Sequence, residues 1–231
     1  REGFELQVGK PKVIMHRDAN GKLMEPMEAL TIDVPQDFMG AVMEGLGLRK
    51  AELQNMTEMA GYLRMEFKIP ARGLIGFQGE FMNLTRGTGL MSHVFDDYAP
   101  VKGDIPGRRN GVLISAEHGE AVAYALWKLQ DRGRMFSVPG DRLYEGMVIG
   151  IHSRENDLVV NPIKGKQLTN IRASGTDEAV RLTPPVQLTL ESAVEFIDDD
   201  ELVEITPKSI RIRKRFLSEH ERRRAQRSEG S

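Results

Sequence analysis

The sequence contains no cysteine, which excludes a disulfide framework and thiolate chemistry. Aromatic residues make up only 6% of the 231 residues, and no apolar run approaches the roughly 20 residues that a membrane helix needs. No signal peptide is visible, and the five histidines are scattered without metal-ligand spacing. The remaining composition is typical of a globular protein of nearly neutral net charge, so any surface for nucleic acid must be local.

Sequence motifs for catalysis are also missing. The chain has no G-x-x-x-x-G-K-[ST] phosphate loop, no H-E-x-x-H zinc motif and no G-x-S-x-G nucleophile elbow. Gly73, Gly76 and Gly79 lie inside a helical pattern, whereas a dinucleotide-binding loop follows a strand. The acidic run Asp198–Asp200 lacks EF-hand spacing and is read as a solvated helix end, with a divalent-cation site as the alternative. We expect no catalytic residue, metal site or cofactor in this chain, and a self-contained enzyme stays open as an alternative.

Residues 25–103 have the order of predicted strands and helices that is typical of a ferredoxin-like domain. The sequence "MEALTIDVP" alternates as a strand does, and "QDFMGAVMEGL" has apolar residues at the four-residue spacing of a helix. Two strand-like runs flank Ala60-Gly61 and predict a β-hairpin. A single second helix is predicted over "ARGLIGFQGEFMNLTRG", and a last strand over "GLMSHVFDDY". The order βαββαβ predicts an antiparallel sheet with both helices on one face.

Residues 104–231 predict a second, mixed α+β domain with a barrel-like set of strands. A helix is predicted in "EAVAYALWKLQDRG", a helix and its exit in "ESAVEFIDDDELVEIT", and strands in "PVQLTLESA" and "SIRIRKRF". The last stretch, "LSEHERRRAQRSEGS", is expected to fray into a tail. The predicted fold class is α+β, with a ferredoxin-like domain followed by this barrel-like domain.

The stretch Asn161–Ala179 has neither helical nor strand periodicity, although an ordered-looking segment follows it. Long loops of this kind are uncommon in compact domains and are usually functional or disordered. It has no acid before Asp177 and no aromatic residue, and Gly165 permits close backbone approach. Such a loop favours RNA recognised by shape and backbone, and we expect it to be exposed and to become ordered only on RNA. The candidate RNA contacts are Lys164, Lys166, Thr169, Asn170, Arg172 and Ser174.

A second basic segment runs from Lys208 to Arg227, where nine cationic residues face only two glutamates. A strand over "SIRIRKRF" places Arg211, Arg213 and Arg215 on one face. A basic stripe beside a basic loop suits a phosphate backbone. The alternative is a solvated tail and a strand edge whose charges prevent aggregation. The candidate RNA contacts in this segment are Arg211, Arg213, Lys214 and Arg215.

Segments of both halves resemble a known family. The first half, with "EPMEALTIDVP", "QDFMGAVMEGL", "AGYLRMEFKIP" and "LIGFQGEFMNLTRGTG", resembles domain V of translational GTPases related to elongation factor G. The second half, with "GRRNGVLISAEHGEAVAYALWKLQDRG", "VPGDRLYEGMVIGIHSRENDLVVNP" and "KGKQLTNIRASGTDEA", resembles the C-terminal domain of the BipA/TypA family. The resemblance covers essentially the whole chain and identifies it as a C-terminal fragment, with residues 1–24 as the end of a domain III type domain.

The resemblance implies a ribosome-associated GTPase that acts in translation, large-subunit assembly and stress response, with GTP and Mg²⁺ held in a G domain absent from this chain. It implies that the loop Asn161–Ala179 contacts large-subunit ribosomal RNA and A-site tRNA. The expected partners are therefore the bacterial ribosome, large-subunit rRNA and tRNA. We expect a cytoplasmic, ribosome-associated monomer with no membrane partner. The alternative is a protein-interaction module that touches no RNA.

Overall fold

The structure is a computed structural model that describes residues 5–165 and 181–229. The chain divides into two compact units. The N-terminal unit is Pro11–Gly107, and the C-terminal unit combines Arg1–Lys10 with Arg108–Ser231.

The helices and strands below are those of the described residues, numbered in chain order. The strands are β1 (Leu6–Gly9), β2 (His16–Arg17), β3 (Leu23–Pro35), β4 (Glu52–Met59), β5 (Tyr62–Pro70), β6 (Leu90–Pro100), β7 (Val112–Ser115), β8 (Gly119–Glu120), β9 (Gly133–Met135), β10 (Arg142–Leu143), β11 (Met147–His152), β12 (Leu158–Val160), β13 (Glu201–Ile205) and β14 (Ile210–Lys214). The α-helices are α1 (Met39–Leu48), α2 (Ala71–Leu74), α3 (Phe77–Leu84), α4 (Ala123–Leu129), α5 (Leu190–Phe196) and α6 (Glu219–Glu229), and short 3₁₀ turns occupy Gln36–Phe38 and Gln130–Arg132.

The N-terminal unit is a ferredoxin-like sheet covered by helices on one face. Strand β3 pairs antiparallel with both β5 and β6, and β4 pairs with β5, which gives the order β4-β5-β3-β6. The short strand β2 adds to the start of β3. The alternating apolar residues of β3 and β5 form one core with the buried faces of α1 and α3, and this core contains Leu30, Ile32, Val34, Val42, Leu46, Met65, Phe67, Ile69, Phe77 and Phe81. The predicted ferredoxin-like fold is confirmed.

The second helix of this unit is broken where the sequence predicted one continuous helix. Ile75 is extended, and Gly76 adopts a left-handed conformation with φ of 72° immediately before α3. The carbonyls of Gly73 and Ile75 are instead satisfied by the Arg49 guanidinium, whose Nη1 donates to them at 2.7 and 3.0 Å. A glycine-permitted backbone turn and a distant arginine therefore override the helical spacing.

The C-terminal unit is built on an open sheet with a helix on each face. The strand order is β1-β13-β14-β11-β7-β12, with β9 pairing with β11, and the β7–β12 pair is parallel. Neighbouring residues of β7 enter different cores, since Leu113 packs in the core of α4, while Val112 and Ile114 pack in that of α5. The α+β class is confirmed, and the described strands form an open sheet rather than a closed barrel. No helix of the described residues is long and apolar enough to cross a membrane.

Strand β1 belongs to this sheet, since it pairs antiparallel with β13 and places Leu6 opposite Ile205. Pro11 and the residues after it belong instead to the N-terminal unit. The interpretation of residues 1–24 as the end of a preceding domain stays a prediction.

Two predictions for the last third of the chain are wrong. The segment "PVQLTLESA" is no strand: helix α5 begins within it, and the Thr189 hydroxyl accepts the Ser192 N–H at 3.1 Å while the Ser192 hydroxyl accepts the Thr189 N–H at 2.9 Å. The tail likewise forms helix α6, which is capped by Ser218. The Ser218 hydroxyl accepts the Glu221 N–H at 3.3 Å and donates to the Glu221 carboxylate at 2.8 Å.

Candidate nucleic-acid interface

The predicted basic loop, Asn161–Ala179, is described only as far as Gly165. Lys164 is exposed, and the side-chain oxygen of Asn161 accepts the backbone N–H groups of Ile163 and Lys164, both at 3.1 Å. The contact roles of this segment, and its expected exposure and ordering on RNA, stay predictions. The other candidates lie outside the described residues, and they are Lys166, Thr169, Asn170, Arg172 and Ser174.

Helix α4 anchors the described residues on both sides of this loop. Immediately before α4, the Val122 N–H donates to the Pro162 carbonyl at 3.1 Å. Immediately after α4, the Gln130 side chain accepts the Thr183 N–H at 3.1 Å and donates to the Arg181 carbonyl at 3.2 Å. The described residues that flank the loop therefore lie beside opposite ends of α4.

Between these anchors, α4 carries an aromatic pair that the sequence analysis did not assign to a site. Tyr124 and Trp127 stack with their ring centroids 6.0 Å apart, and the Lys128 ammonium lies 4.7 Å from the centroid of Tyr124. Trp127 is 42% exposed. The loop itself lacks aromatic residues, but the helix beside its ends offers a ring on which a base can stack. The sequence feature that could have revealed this cluster is the helical spacing of "AYALWKL", which brings Tyr124, Trp127 and Lys128 together.

Strand β14 carries two of the three arginines of the predicted basic face, whereas Arg215 follows the end of the strand. Ile212 and Lys214 are buried, while Arg211 and Arg213 lie on the opposite face. Arg213 is already engaged: its Nε lies 3.0 Å from a Glu204 carboxylate oxygen, and its Nη2 donates to the Gln7 side chain at 2.9 Å.

The other two arginines of the predicted stripe, Arg211 and Arg215, have no ion-pair partner among the described residues. Arg211 is partly buried and stands opposite Glu204 in the strand register. Arg215 is exposed, and its backbone N–H donates to the Asp200 carbonyl at 2.7 Å. The guanidinium groups of Arg211 on β14 and of Arg215 just after it are therefore available for phosphate.

Lys214 has a different place from the one predicted. Its side chain is 3% exposed, and its ammonium lies 2.6, 2.8 and 2.9 Å from the carboxylates of Asp157, Asp200 and Glu201. A buried cation held by three carboxylates is structural, because removing it from them leaves buried charges without a partner. We leave Lys214 out of the candidate surface.

The contacts within this cluster keep Glu201 and Lys214 ionised. Burial acts to raise the pKa of Glu201, but the hydrogen bonds and charge of Arg108, with the charge of Lys214, outweigh it and lower the pKa to about 2. Burial acts to lower the pKa of Lys214, but Glu201 and the hydrogen bonds to Asp157 and Asp200 outweigh it and raise the pKa above its ordinary value. The network stays charged at neutral pH and ties β13 and β14 to the segment before β7.

Helix α6 presents the basic tail as an ordered element. The Glu145 carboxylate accepts the Glu219 N–H at 3.1 Å and so holds the start of the helix. Arg222 turns inward and donates to the carbonyls of Phe216 and Leu217. On the other side of the helix, Arg223, Arg224 and Arg227 are exposed, with Arg223 in an ion pair with Glu219.

The described residues offer no alternative metal centre. No group of three or more His, Asp or Glu residues among them is placed to hold a metal ion. In the acidic run Asp198–Asp200, Asp198 pairs with Lys10 at 2.9 Å and Asp200 pairs with Lys214 at 2.8 Å. These carboxylates serve as counter-charges to lysines.

Comparisons with known proteins match both units. Residues 110–219 match the family described as the TypA/BipA C-terminal domain, and residues 22–109 match the elongation factor G C-terminus. Proteins named large ribosomal subunit assembly factor BipA are similar to this chain over 230 residues at 57% identity in Escherichia coli (strain K12), and at 55% in Haemophilus influenzae. The relative from Buchnera aphidicola is 51% identical over 233 residues. These alignments cover 99 to 100% of this chain, which spans only 37 to 38% of the length of these curated relatives.

Proposed function

The chain belongs to the TypA/BipA family, and on that premise we propose that it is the ribosome- and RNA-binding portion of a translational GTPase. In this proposal the whole protein hydrolyses GTP in a G domain outside this chain, and that domain also holds GTP and Mg²⁺. The protein acts in the cytoplasm on the ribosome, in translation, large-subunit assembly and stress response. The name shared by the relatives, large ribosomal subunit assembly factor, supports the ribosome as partner.

The observation that carries the proposal is the anchoring of both sides of the basic loop at α4. Val122 binds the carbonyl of Pro162, and Gln130 binds the backbone of Arg181 and Thr183. The segment between these anchors therefore starts and ends on one surface of the C-terminal unit. Its cations and small polar residues are the donors that phosphate and ribose accept.

In the proposed complex this loop contacts large-subunit rRNA and A-site tRNA, and the chain acts as a monomer. The loop contacts are Lys164, Lys166, Thr169, Asn170, Arg172 and Ser174. Arg211 and Arg215 add positive charge from β14, and Arg213 contributes less because Glu204 already compensates it.

Binding to purified bacterial large ribosomal subunits at several salt concentrations tests the proposal. The variant Lys164→Ala/Lys166→Ala/Arg172→Ala removes three cations, so we expect at least tenfold weaker binding and a salt dependence whose log–log slope is smaller by about 2. The matched control removes two lysines and one arginine that are exposed elsewhere, Lys12, Lys22 and Arg142. Unchanged affinity of the loop variant would remove the loop from the proposal.

The protein-interaction alternative makes a different prediction for the same chain. It requires binding to ribosomal proteins and none to protein-free large-subunit rRNA. The proposal requires binding to the protein-free rRNA, with the steep salt dependence that counterion release produces.

A further inference from the structure

Four arginines from three separate segments meet where α4 ends. We call them the arginine patch, and they are Arg109, Arg132, Arg134 and Arg154. Arg109 precedes β7, Arg132 ends the 3₁₀ turn after α4 and Arg134 lies in β9, while Arg154 follows β11. All four are exposed. They are spread over 46 positions of the chain, so no run of basic residues reveals them.

Backbone hydrogen bonds bring these segments together. The Ser153 N–H donates to the Arg132 carbonyl at 2.8 Å, and the Gly111 N–H donates to the Arg154 carbonyl at 2.8 Å. Arg134 stands opposite Ile151 in the β9–β11 register. Main-chain contacts therefore fix the backbone positions from which these arginines extend.

Two glycines make this close approach possible. A Cβ at Gly111 would lie 2.2 Å from the Asn156 carbonyl oxygen, and a Cβ at Gly133 would lie 1.8 Å from the Ile151 carbonyl oxygen. Both distances are far below van der Waals contact, so any side chain at either position would separate the segments.

The charges of the arginine patch are not compensated within the described part of the chain. None of the four guanidinium groups has an ion-pair or hydrogen-bond partner there, although Asp131 and Glu155 lie in the same segments. Several other arginines of the unit do have protein partners, for example Arg108 with Glu201, Arg213 with Glu204, Arg222 with main-chain carbonyls and Arg223 with Glu219.

The neighbouring residues Arg108 and Arg109 show the contrast most clearly. Arg108 pairs with Glu201 in the interior and lies 4.3 Å from the ring centroid of Phe196. Arg109 faces solvent and, with Arg154, lines a cleft of about 540 Å³. The cleft is also lined by Asn110, Ser153, Glu155 and Asn156. A planar guanidinium donates two parallel hydrogen bonds to a phosphate, and the cleft has room for a phosphate with its ribose.

We propose that the arginine patch binds the phosphate backbone of RNA, as a second contact beside the basic loop. This inference rests on the proposed function, because it takes RNA as the ligand. It adds a second site that lies near the end of the loop. Gln130 binds the carbonyl of Arg181, which follows the loop, and Gln130 shares one 3₁₀ turn with Arg132 of the patch. One RNA strand bound at the loop can therefore continue to the arginine patch.

The test uses the full chain and labelled, protein-free bacterial large-subunit rRNA, titrated at several KCl concentrations. Two double variants, Arg109→Ala/Arg154→Ala and Arg132→Ala/Arg134→Ala, each remove two cations. We expect each to weaken binding about tenfold and to lower the log–log salt slope by 1 to 2. The control Arg142→Ala should bind as the unaltered chain does, since Arg142 is exposed on β10, outside both the loop and the arginine patch.

Two further measurements separate phosphate contact from a structural effect. Thermal unfolding of both double variants should match that of the unaltered chain, because the four side chains are exposed and unpaired. The charge-preserving variant Arg109→Lys/Arg154→Lys should recover the salt slope and only part of the affinity, because lysine binds phosphate as a point charge.

The outcomes distinguish this inference from the proposed function when the loop variant Lys164→Ala/Lys166→Ala/Arg172→Ala is measured in parallel. Weaker binding by the loop variant alone overturns the arginine patch and leaves the proposed function standing. Weaker binding by the double variants alone supports the arginine patch and removes the loop. Loss of binding to poly-glutamate by the double variants, with rRNA binding unchanged, would assign the patch to an acidic protein and overturn the inference.

Discussion

Arg108 and Glu201 form a bidentate ion pair inside the C-terminal unit, with Nη1–Oε2 and Nη2–Oε1 distances of 2.8 and 2.9 Å. The pair joins residues 93 positions apart, and the Glu201 side chain has no exposed surface. Glu201 also bonds the Lys214 ammonium at 2.9 Å. The segment that carries Arg109 and the strand that carries Arg211 and Arg213 are thus fixed to one buried carboxylate.

Replacing one partner of this ion pair should destabilise the C-terminal unit strongly. Arg108→Ala leaves a buried carboxylate with less compensation, so we expect a loss of about 3–5 kcal/mol in the free energy of unfolding. Urea unfolding followed by fluorescence of Trp127, the one tryptophan of the sequence, measures it. Arg223→Ala, which breaks an exposed pair with Glu219, should leave stability nearly unchanged. Equal stability of Arg108→Ala and the unaltered chain would contradict the structural role of the cluster.

The stability of this unit should fall at acid pH because the pKa of Glu201 is lowered from 4.5 to about 2. A lowered pKa contributes stability that is complete above pH 4.5 and is lost as the pH falls toward 2. Urea unfolding between pH 6 and pH 2 checks this. The slope of stability against pH in that window should be smaller in Glu201→Gln, and an identical slope in both proteins would contradict the assignment.

The close approach at Gly133 should tolerate no side chain. Gly133→Ala places a Cβ 1.8 Å from the Ile151 carbonyl oxygen, so we expect about 1–3 kcal/mol of destabilisation, by the mechanism of overpacking. Gly165→Ala is the matched control, since nothing lies within 4 Å of a Cβ there. A Gly133→Ala protein with unchanged urea midpoint would show that β9 does not approach β11 as described.

Loss of the Ser218 cap should destabilise the first turn of α6. Ser218→Ala removes the oxygen that accepts the Glu221 N–H, and a lost N-cap costs about 1 kcal/mol. Because no side chain described in α6, residues 219–228, is fully buried, we expect this change to fray the helix without unfolding the unit. Hydrogen exchange of the peptide covering α6 should become faster, whereas Ser228→Ala near the other end should leave the exchange of its first turn unchanged.

The ferredoxin-like unit could be predicted because its signals are local. Each signal involves residues only a few positions apart in the chain. The signals are the alternation along β3 and β5, the four-residue spacing in α1 and the Ala60-Gly61 turn. The break at Gly76 was missed because its cause is Arg49, which binds carbonyls 24 and 26 residues away. Helical spacing alone carries no information about such a contact.

Much of the candidate site could not be predicted from the sequence for the same physical reason. The arginine patch depends on backbone contacts between segments that the sequence separates, such as Ser153 with Arg132. The sequence pattern placed Lys214 with the cations of the basic stripe, but its position opposite Glu201 in the strand register buries its ammonium against the buried carboxylate of Glu201. Helix α6 was missed although its signal is local, since Ser218 and Glu221 have the spacing of a capping box.

The most direct test of the account is photo-cross-linking of the full chain to purified bacterial large ribosomal subunits, followed by identification of the cross-linked peptides. The account predicts rRNA nucleotides on peptides that contain Lys164, Lys166 and Arg172. Cross-links confined to ribosomal proteins, with none from these peptides to rRNA, would contradict it.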